Sequence, residues 1–159
     1  DNGMMTQVWG PTGWLFTHSI TMGYPSKIDY TNKEHVKRMK ETKKFFTSMG
    51  YVLPCKYCRQ SYQQFIKELP LTDNILSTRR KLAKWLYDIH NKVNKKLGIP
   101  KCDIPTFTHF YKIYESYRAQ CHKTTPKERE LRSEKGCRTP KIGNKRKKCI
   151  IKIVNDKLK

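Results

Sequence analysis

An apolar pattern with helical spacing constrains the fold of this chain more than any other feature. Over residues 82–97 the apolar side chains recur three or four positions apart, and Gly98 and Pro100 then end the pattern. Such a pattern predicts a long amphipathic helix with one buried face. Its apolar positions are Leu82, Trp85, Leu86, Ile89, Val93 and Leu97.

Shorter patterns of the same kind predict further helices. A first helix is expected from Pro11, because the first helical turn tolerates proline. Asn32 can cap a second helix, a third is expected at residues 55–69, and a fifth at residues 110–117. Strand signals are almost absent before residue 121. The predicted fold class is therefore all-α, a four-helix bundle with a short fifth helix.

The distribution of charge predicts where the folded domain ends. The 159 residues carry a net charge of +21, and residues 122–159 alone hold 14 Lys and Arg against 4 Asp and Glu. We therefore predict a helical domain at residues 1–121 and a basic, cysteine-containing extension at residues 122–159. Residues 149–154 of the extension have the β-branched character of a short strand. No apolar run approaches the roughly 20 residues that span a bilayer, and no secretory signal is expected.

The net charge on its own suggests nucleic acid as a partner. Proteins that bind single strands interleave basic residues with stacking aromatic rings. The run of four basic residues at 145–148 has no aromatic neighbours. Binding of nucleic acid through the basic tail is left open as an alternative and is not favoured.

Two of the six cysteines form the motif Cys55-Lys56-Tyr57-Cys58 directly after Pro54, where a helix is expected to begin. The free N–H groups and the dipole of a helix N-terminus stabilise a thiolate, the form that exchanges with disulfides. A structural zinc site needs a second ligand pair, which the chain lacks, so no metal is expected. An inert buried pair is the other alternative. The spacing favours a redox dithiol.

Two polar and aromatic clusters accompany this motif. Trp14 and His18 lie one helical turn apart, although each alone is more often a core residue. Residues 90–97 could place a histidine and two asparagines on one side of a helix, where with Lys96 they could hold a nucleotide. The alternative for this second cluster is an exposed, charged helix face.

The order of these motifs resembles the Erv/ALR family of FAD-linked sulfhydryl oxidases. The shared patterns are WGxxxW…H…YP, PCxxC and WLxxIHNxVNxKLG, which together cover about residues 9–121. The sequence WGP at position 9 is similar to the versions that large DNA viruses encode. The resemblance implies a small helical bundle that binds FAD, usually as a homodimer.

The resemblance also implies roles for single residues. Cys55 and Cys58 would be the catalytic redox pair, with Cys58 nearer the flavin ring. The tryptophan of the family's fifth helix is absent, so that Phe110, Tyr111 or Tyr114 must take its place. The implied FAD-binding residues are Gly10, Thr12, Trp14, His18, Tyr24, Cys58, His90, Asn91, Val93, Asn94, Lys96, Leu97 and Tyr114.

The sequence alone leaves the partners of the four other cysteines open. By resemblance, Cys102 and Cys121 would form a structural disulfide that holds the fifth helix. Cys137 and Cys149 could form a second disulfide or a shuttle pair that relays electrons to Cys55. Because 11 residues separate them, we favour a static disulfide.

The implied function is a disulfide-generating thiol oxidase. Dithiol protein substrates would reduce the Cys55–Cys58 disulfide, the electrons would pass to FAD, and O2 would accept them to give H2O2. The alternative is a basic nucleic-acid-binding or zinc-binding module without redox activity. For a viral member of the family, the expected location is the host cytoplasm or the virion, without a membrane anchor.

Overall fold

The structure, a computed structural model, describes residues 2–118. Within this part of the chain there are five α-helices, two short 3-10 turns and no strand. The helices are α1 (Thr6–Gly23), α2 (Lys33–Val52), α3 (Lys56–Glu68), α4 (Arg79–Lys96) and α5 (Phe107–Ser116), and the 3-10 turns are Ile75–Ser77 and Lys101–Asp103. The predicted all-α fold with a short fifth helix is confirmed.

Local signals in the sequence explain several helix ends. The side chain of Asn32 caps α2, since its oxygen accepts a hydrogen bond from the backbone N–H of Glu34 at 2.9 Å. Gly98 follows α4 with φ of +72°, a backbone conformation that favours glycine. These two predicted boundaries are confirmed.

The expected start of the first helix is wrong. α1 begins at Thr6, so that Pro11 is inside the helix and not in its first turn. A proline at this position removes the hydrogen bond that its own N–H would donate to the carbonyl of Gln7. Residues 2–4, just before α1, pair with the backbone around Cys55. The periodicity of the sequence does not predict that pairing.

The core lies where α4 contacts its neighbours. α4 packs against α1 on one side and against α3 on another, and α3 also packs against α2. Buried polar atoms in the core have partners: Tyr62 Oη donates to the Phe46 carbonyl at 3.0 Å and Trp85 Nε1 to the Leu69 carbonyl at 2.9 Å. The core cluster comprises Tyr24, Ile28, Phe46, Tyr62, Leu71, Leu76, Leu82, Trp85, Leu86 and Ile89. Because α4 contacts both α1 and α3, its side chains can form a site together with residues of either helix.

The chain divides into two compact units between Tyr111 and Lys112. In the described part of the second unit, Arg118 forms an ion pair with Glu115 at 2.7 Å. The domain boundary predicted after Cys121 and the strand predicted at residues 149–154 lie outside the described residues. None of the helices at residues 2–118 combines the length and apolar character needed to cross a bilayer.

Candidate active site

The CxxC motif opens α3, as the sequence predicted. Cys55 is the N-cap of the helix, with extended backbone angles of φ −124° and ψ 128°. Its sulfur accepts a hydrogen bond from the backbone N–H of Cys58 at 3.3 Å. Both sulfurs therefore lie at the first turn of the helix, where the unpaired N–H groups favour negative charge.

The two thiols have opposite pKa shifts. The hydrogen bond from the Cys58 side chain, helped by backbone N–H groups and by Arg59, lowers the pKa of Cys55 below its usual value. Burial and the hydrogen bond with Cys55 raise the pKa of Cys58 to about 11, against the opposing charges of Lys96 and Arg59. In the reduced pair, Cys55 therefore loses its proton at a lower pH than Cys58.

This difference predicts how the reduced protein reacts with an alkylating reagent. Only thiolates react, and a lowered pKa extends reactivity to lower pH. At pH 7 we expect iodoacetamide to modify Cys55 and to leave Cys58 unmodified, with Cys58 reacting only as the pH approaches 11. Peptide mapping by mass spectrometry over a pH series measures the order. Faster modification of Cys58 than of Cys55 at pH 7 would contradict the assignment.

Four rings from three helices form a second part of the site. The indole of Trp14 stacks on the imidazole of His90 with ring centres 3.8 Å apart and planes 11° apart. His18 Nε2 and His90 Nδ1 lie 3.1 Å apart and share a hydrogen bond. The ring of Phe110 meets His18 edge-on at 4.6 Å. The structure thus brings the predicted residues of α1 and α4 into direct contact.

The two histidines of this cluster are neutral at physiological pH. Burial, with a smaller effect of His90, lowers the pKa of His18 to about 3. Burial also lowers the pKa of His90 to about 4. Because neither imidazole is charged above pH 5, the cluster presents flat, uncharged rings suited to stacking on a planar ligand.

The end of α4 connects this ring cluster with the redox pair. Asn94 Nδ2 donates to Asn91 Oδ1 at 3.2 Å, and Lys96 Nζ donates to the Ser61 hydroxyl on α3. Ser61 lies one helical turn after Cys58, and the positive charge of Lys96 favours the Cys58 thiolate. His90 and Lys96 are six residues apart on one helix, a rise of about 9 Å. α4 therefore contributes the imidazole of His90 to the ring cluster and, near its C-terminal end, the ammonium of Lys96 to the surroundings of Cys58.

The remaining predicted contacts lie in different surroundings. Tyr24 is buried in the core, where its hydroxyl donates to the Leu76 carbonyl at 2.9 Å. Thr12 is exposed on α1, and no atom lies within 4 Å of the place where a Cβ on Gly10 would stand. Val93 is half-buried on α4, Leu97 is exposed at its C-cap, and Tyr114 belongs to the second unit. Their roles toward a cofactor stay predictions.

The other cysteines are only partly described. Cys102 is exposed, and its sulfur lies 3.7 Å from Asp103 Oδ1. Its predicted partner Cys121 lies outside the described residues, as do Cys137 and Cys149. No group of three His, Cys, Asp or Glu side chains in the described part of the chain is arranged to hold a metal ion.

Ser61 was not singled out from the sequence, and Trp9 was quoted within the WGxxxW pattern but given no role of its own. Ser61 accepts the hydrogen bond from Lys96 to α3. A single serine within a helix has no pattern from which that contact could be predicted. Trp9 Nε1 is buried and has no hydrogen-bond partner among residues 2–118, so it is a donor that a bound molecule could satisfy.

Comparison with known proteins identifies the family. The sequence model of the Erv1 / Alr family matches residues 11–129, three quarters of the chain. The chain belongs to the Erv1/Alr family. The matched range includes the CxxC motif, the ring cluster and the end of α4, which confirms the resemblance in motif order.

Curated FAD-linked sulfhydryl oxidases are similar to this chain in sequence. The chain is 42% identical over 95 residues to "Probable FAD-linked sulfhydryl oxidase" of Acanthamoeba polyphaga mimivirus, an alignment that covers 60% of this chain and 62% of that protein. It is 31% identical over 94 residues to the mitochondrial FAD-linked sulfhydryl oxidase of Saccharomyces cerevisiae, covering 59% of this chain and 45% of that protein. The chain thus spans less than two thirds of the length of each of these relatives.

Solved structures of the Erv1/Alr family have the same fold. The FAD binding domain of Erv1 from Saccharomyces cerevisiae matches with a TM-score of 0.57 and 27% identity, over 70% of this chain and 97% of that one. The yeast Erv1 core matches with a TM-score of 0.58 and 24% identity, over 72% of this chain and 86% of that one. The helical fold of the family is therefore present here.

Proposed function

We propose that this chain is an FAD-dependent thiol oxidase that generates disulfide bonds in protein substrates. The observation that carries the proposal is the CxxC pair at the start of α3, in which Cys55 has a lowered pKa and Cys58 lies near the charge of Lys96. A family whose curated relatives are named FAD-linked sulfhydryl oxidases supports it. O2 is the proposed electron acceptor.

The substrate step depends on the opposite pKa shifts of Cys55 and Cys58. In the oxidised protein a substrate thiolate attacks Cys55 Sγ, the Cys55–Cys58 bond breaks, and the electron pair of that bond leaves on Cys58 Sγ. The charges of Lys96 and Arg59 favour this Cys58 thiolate. The second substrate thiolate then attacks the sulfur of the first, which forms the substrate disulfide and releases Cys55 as a thiolate. The lowered pKa of Cys55 makes it a better leaving group than an unperturbed cysteine.

The chemistry of the donor set fits FAD. Uncharged stacked rings at Trp14 and His90 suit a planar ring system, while the amides of Asn91 and Asn94 and the ammonium of Lys96 suit hydroxyl and phosphate groups. When bound, FAD supplies the two-electron carrier between a dithiol and O2, which gives H2O2. The other proposed binding residues are Gly10, Thr12, His18, Tyr24, Cys58, Val93, Leu97 and Tyr114.

A purified sample tests this function directly. We expect a yellow protein whose addition to dithiothreitol consumes O2 and produces one H2O2 per disulfide formed. Oxygen-electrode traces and a peroxide assay measure both quantities. A colourless protein without thiol-dependent oxygen uptake, or one that shifts DNA in a gel, would favour the basic binding module instead.

The function of the flanking cysteines and the location are also proposals. We propose residues 1–121 as the catalytic domain, with a Cys102–Cys121 disulfide, and residues 122–159 as an extension with a static Cys137–Cys149 disulfide. Peptide mapping of the unreduced protein identifies both pairs. The viral relatives support the host cytoplasm or the virion as the location.

We propose that the protein is a homodimer formed through an exposed apolar face of α1 and α2. Phe16 and Phe45 contact each other at 6.5 Å although 62% and 38% of their surfaces are exposed. Two turns away on the same helix faces lie Val8 and Val52, also exposed. Adjacent exposed apolar side chains of this kind mark interaction surfaces.

A charge placed on this face tests the dimer. Because a carboxylate buried in an apolar interface has no partner, Phe16→Glu is expected to convert the dimer to a monomer. Light scattering during size-exclusion chromatography measures the mass. Tyr30→Glu, which changes an equally exposed ring away from this face, is the matched control and should leave the dimer intact. A Phe16→Glu protein that keeps the mass of a dimer would exclude this face as the interface.

A further inference from the structure

Residues 2–4 pair with the backbone on both sides of the reactive cysteine. The N–H of Met4 donates to the carbonyl of Pro54 at 2.8 Å, and the N–H of Lys56 donates to the carbonyl of Asn2 at 3.0 Å. Gly3 and Cys55 thereby face each other in an antiparallel bridge. The backbone around Cys55 is thus an edge with which another backbone segment pairs.

The register of this bridge has a chemical consequence. Since the hydrogen bonds are made by the residues on either side, Gly3 and Cys55 are a non-hydrogen-bonded pair, in which Cα atoms are typically about 4.5 Å apart. Disulfides need Cα atoms about 4.4–6.8 Å apart. A cysteine in an extended strand at the register of Gly3 would therefore lie within disulfide distance of Cys55.

The chain's own segment cannot present such a cysteine. Gly3 has φ of +89°, and in that conformation a Cβ would lie 1.9 Å from the Pro54 carbonyl oxygen. An L-residue can pair at this edge only with an ordinary extended φ near −120° to −140°. Residues 2–4 are all exposed, so little buried surface holds the segment in place. A competing strand can displace it.

We propose that protein substrates bind as an extended segment that replaces residues 2–4 on the Pro54–Lys56 edge, with the reacting cysteine opposite Cys55. This inference rests on the proposed function and specifies the form of its substrate. The residue before the substrate cysteine supplies the carbonyl that Lys56 contacts. The residue after it supplies the N–H that the Pro54 carbonyl accepts. A substrate with proline directly after the cysteine lacks that donor.

The bond changes on this edge are those of thiol–disulfide exchange. The substrate cysteine forms a bond to Cys55 Sγ, the Cys55–Cys58 bond breaks, and Cys58 Sγ takes the electron pair. Backbone pairing contributes only position, because it places the attacking sulfur beside Cys55 rather than Cys58. The same pairing holds the mixed disulfide until the second substrate thiolate attacks.

The test uses the Cys58→Ser protein, in which Cys55 is the only thiol of the pair, and short peptides whose cysteine carries a thionitrobenzoate group. Attack by Cys55 forms the peptide–Cys55 disulfide and releases thionitrobenzoate. Mass spectrometry of that adduct over time gives the rate at Cys55 separately from any reaction at the exposed Cys102. One peptide is unmodified, a second has an N-methyl group on the residue after the cysteine, and a third has it on the residue before. The third is the matched control, because the structure shows no bond from the N–H of Asn2 to this edge.

We expect the second peptide to react about three- to tenfold more slowly than the first, the fold-change that corresponds to one backbone hydrogen bond. The third should react at the rate of the first. Equal rates for all three peptides would overturn the proposal. Oxygen uptake by the unmodified protein with dithiothreitol tests the oxidase function separately, since that small dithiol needs no backbone pairing.

Amide hydrogen exchange gives a second measurement that does not depend on activity. In the peptide–Cys55 disulfide, the N–H of Lys56 should stay protected while that of Met4 exchanges fast, because the peptide has displaced residues 2–4. In a 2-mercaptoethanol–Cys55 disulfide, both N–H groups should stay protected. Protection of Met4 in the peptide adduct would show that the segment was not displaced, and would overturn the proposal.

Discussion

Replacing Cys58 with serine is expected to reduce thiol-dependent oxygen uptake by at least roughly a thousandfold, a loss typical of removing a reacting nucleophile. Without the Cys55–Cys58 disulfide, a substrate thiolate has no bond to break, and no thiolate forms beside Lys96. The protein should remain yellow, since serine is close to cysteine in size and the ring cluster at Trp14 and His90 is unchanged. An oxygen electrode and a visible spectrum measure the two properties on one sample.

A second cysteine variant is the control for this experiment. Cys102 is exposed, on a 3-10 turn, and contacts its neighbour Asp103 rather than the redox pair. Cys102→Ser should therefore keep the oxygen uptake that Cys58→Ser loses. Normal turnover in Cys58→Ser would show that the CxxC pair takes no part in the reaction, and would exclude the proposed mechanism.

Removing the indole of Trp14 is expected to weaken FAD binding by roughly 10- to 100-fold, as loss of stacking on an aromatic ring weakens nucleotide binding by about 1–3 kcal/mol. Trp14 stacks on His90 and also faces His18 at 5.7 Å, so its loss opens the ring cluster at its centre. Titration of FAD into flavin-free Trp14→Ala protein, followed by flavin fluorescence, measures the dissociation constant.

The matched variant for this prediction is Trp14→Phe. It keeps a flat ring in the cluster and should bind FAD within a few-fold of the unchanged protein. Thermal unfolding of both variants shows whether the bundle is intact, since Trp14 only packs against the edge of the core. If Trp14→Ala binds FAD as tightly as Trp14→Phe, the indole is not part of the binding surface.

The helices could be predicted because their signals are local. The Asn32 cap, Gly98 and the apolar spacing of residues 82–89 act within one or two turns, and the structure confirms each. The later apolar positions differ, because Val93 is half-buried and Leu97 is exposed. The start of α1 could not be predicted in this way. Its first turn follows residues 2–4, which pair with a segment about fifty positions later in the chain. Spacing around Pro11 contains no information about that contact.

The site likewise has features that follow from the local sequence and features that depend on tertiary packing. A CxxC after a proline at a helix start was enough to predict a redox dithiol with a stabilised thiolate, because the helix N-terminus is a local feature. The raised pKa of Cys58 was not predictable, since burial among packed side chains causes it. The ammonium of Lys96, which opposes that shift, comes from a different helix.

Residue types and their spacing were sufficient to predict the all-α class, the N-terminal cap of α2, the end of α4, the CxxC motif and the family. Each of these depends on residue types at short spacing. Only the tertiary structure placed His18 against His90, 72 positions apart, Lys96 against Ser61, and Gly3 opposite Cys55. These contacts depend on how α1, α3 and α4 pack, and packing is set by the fit of whole helix faces rather than by any local pattern.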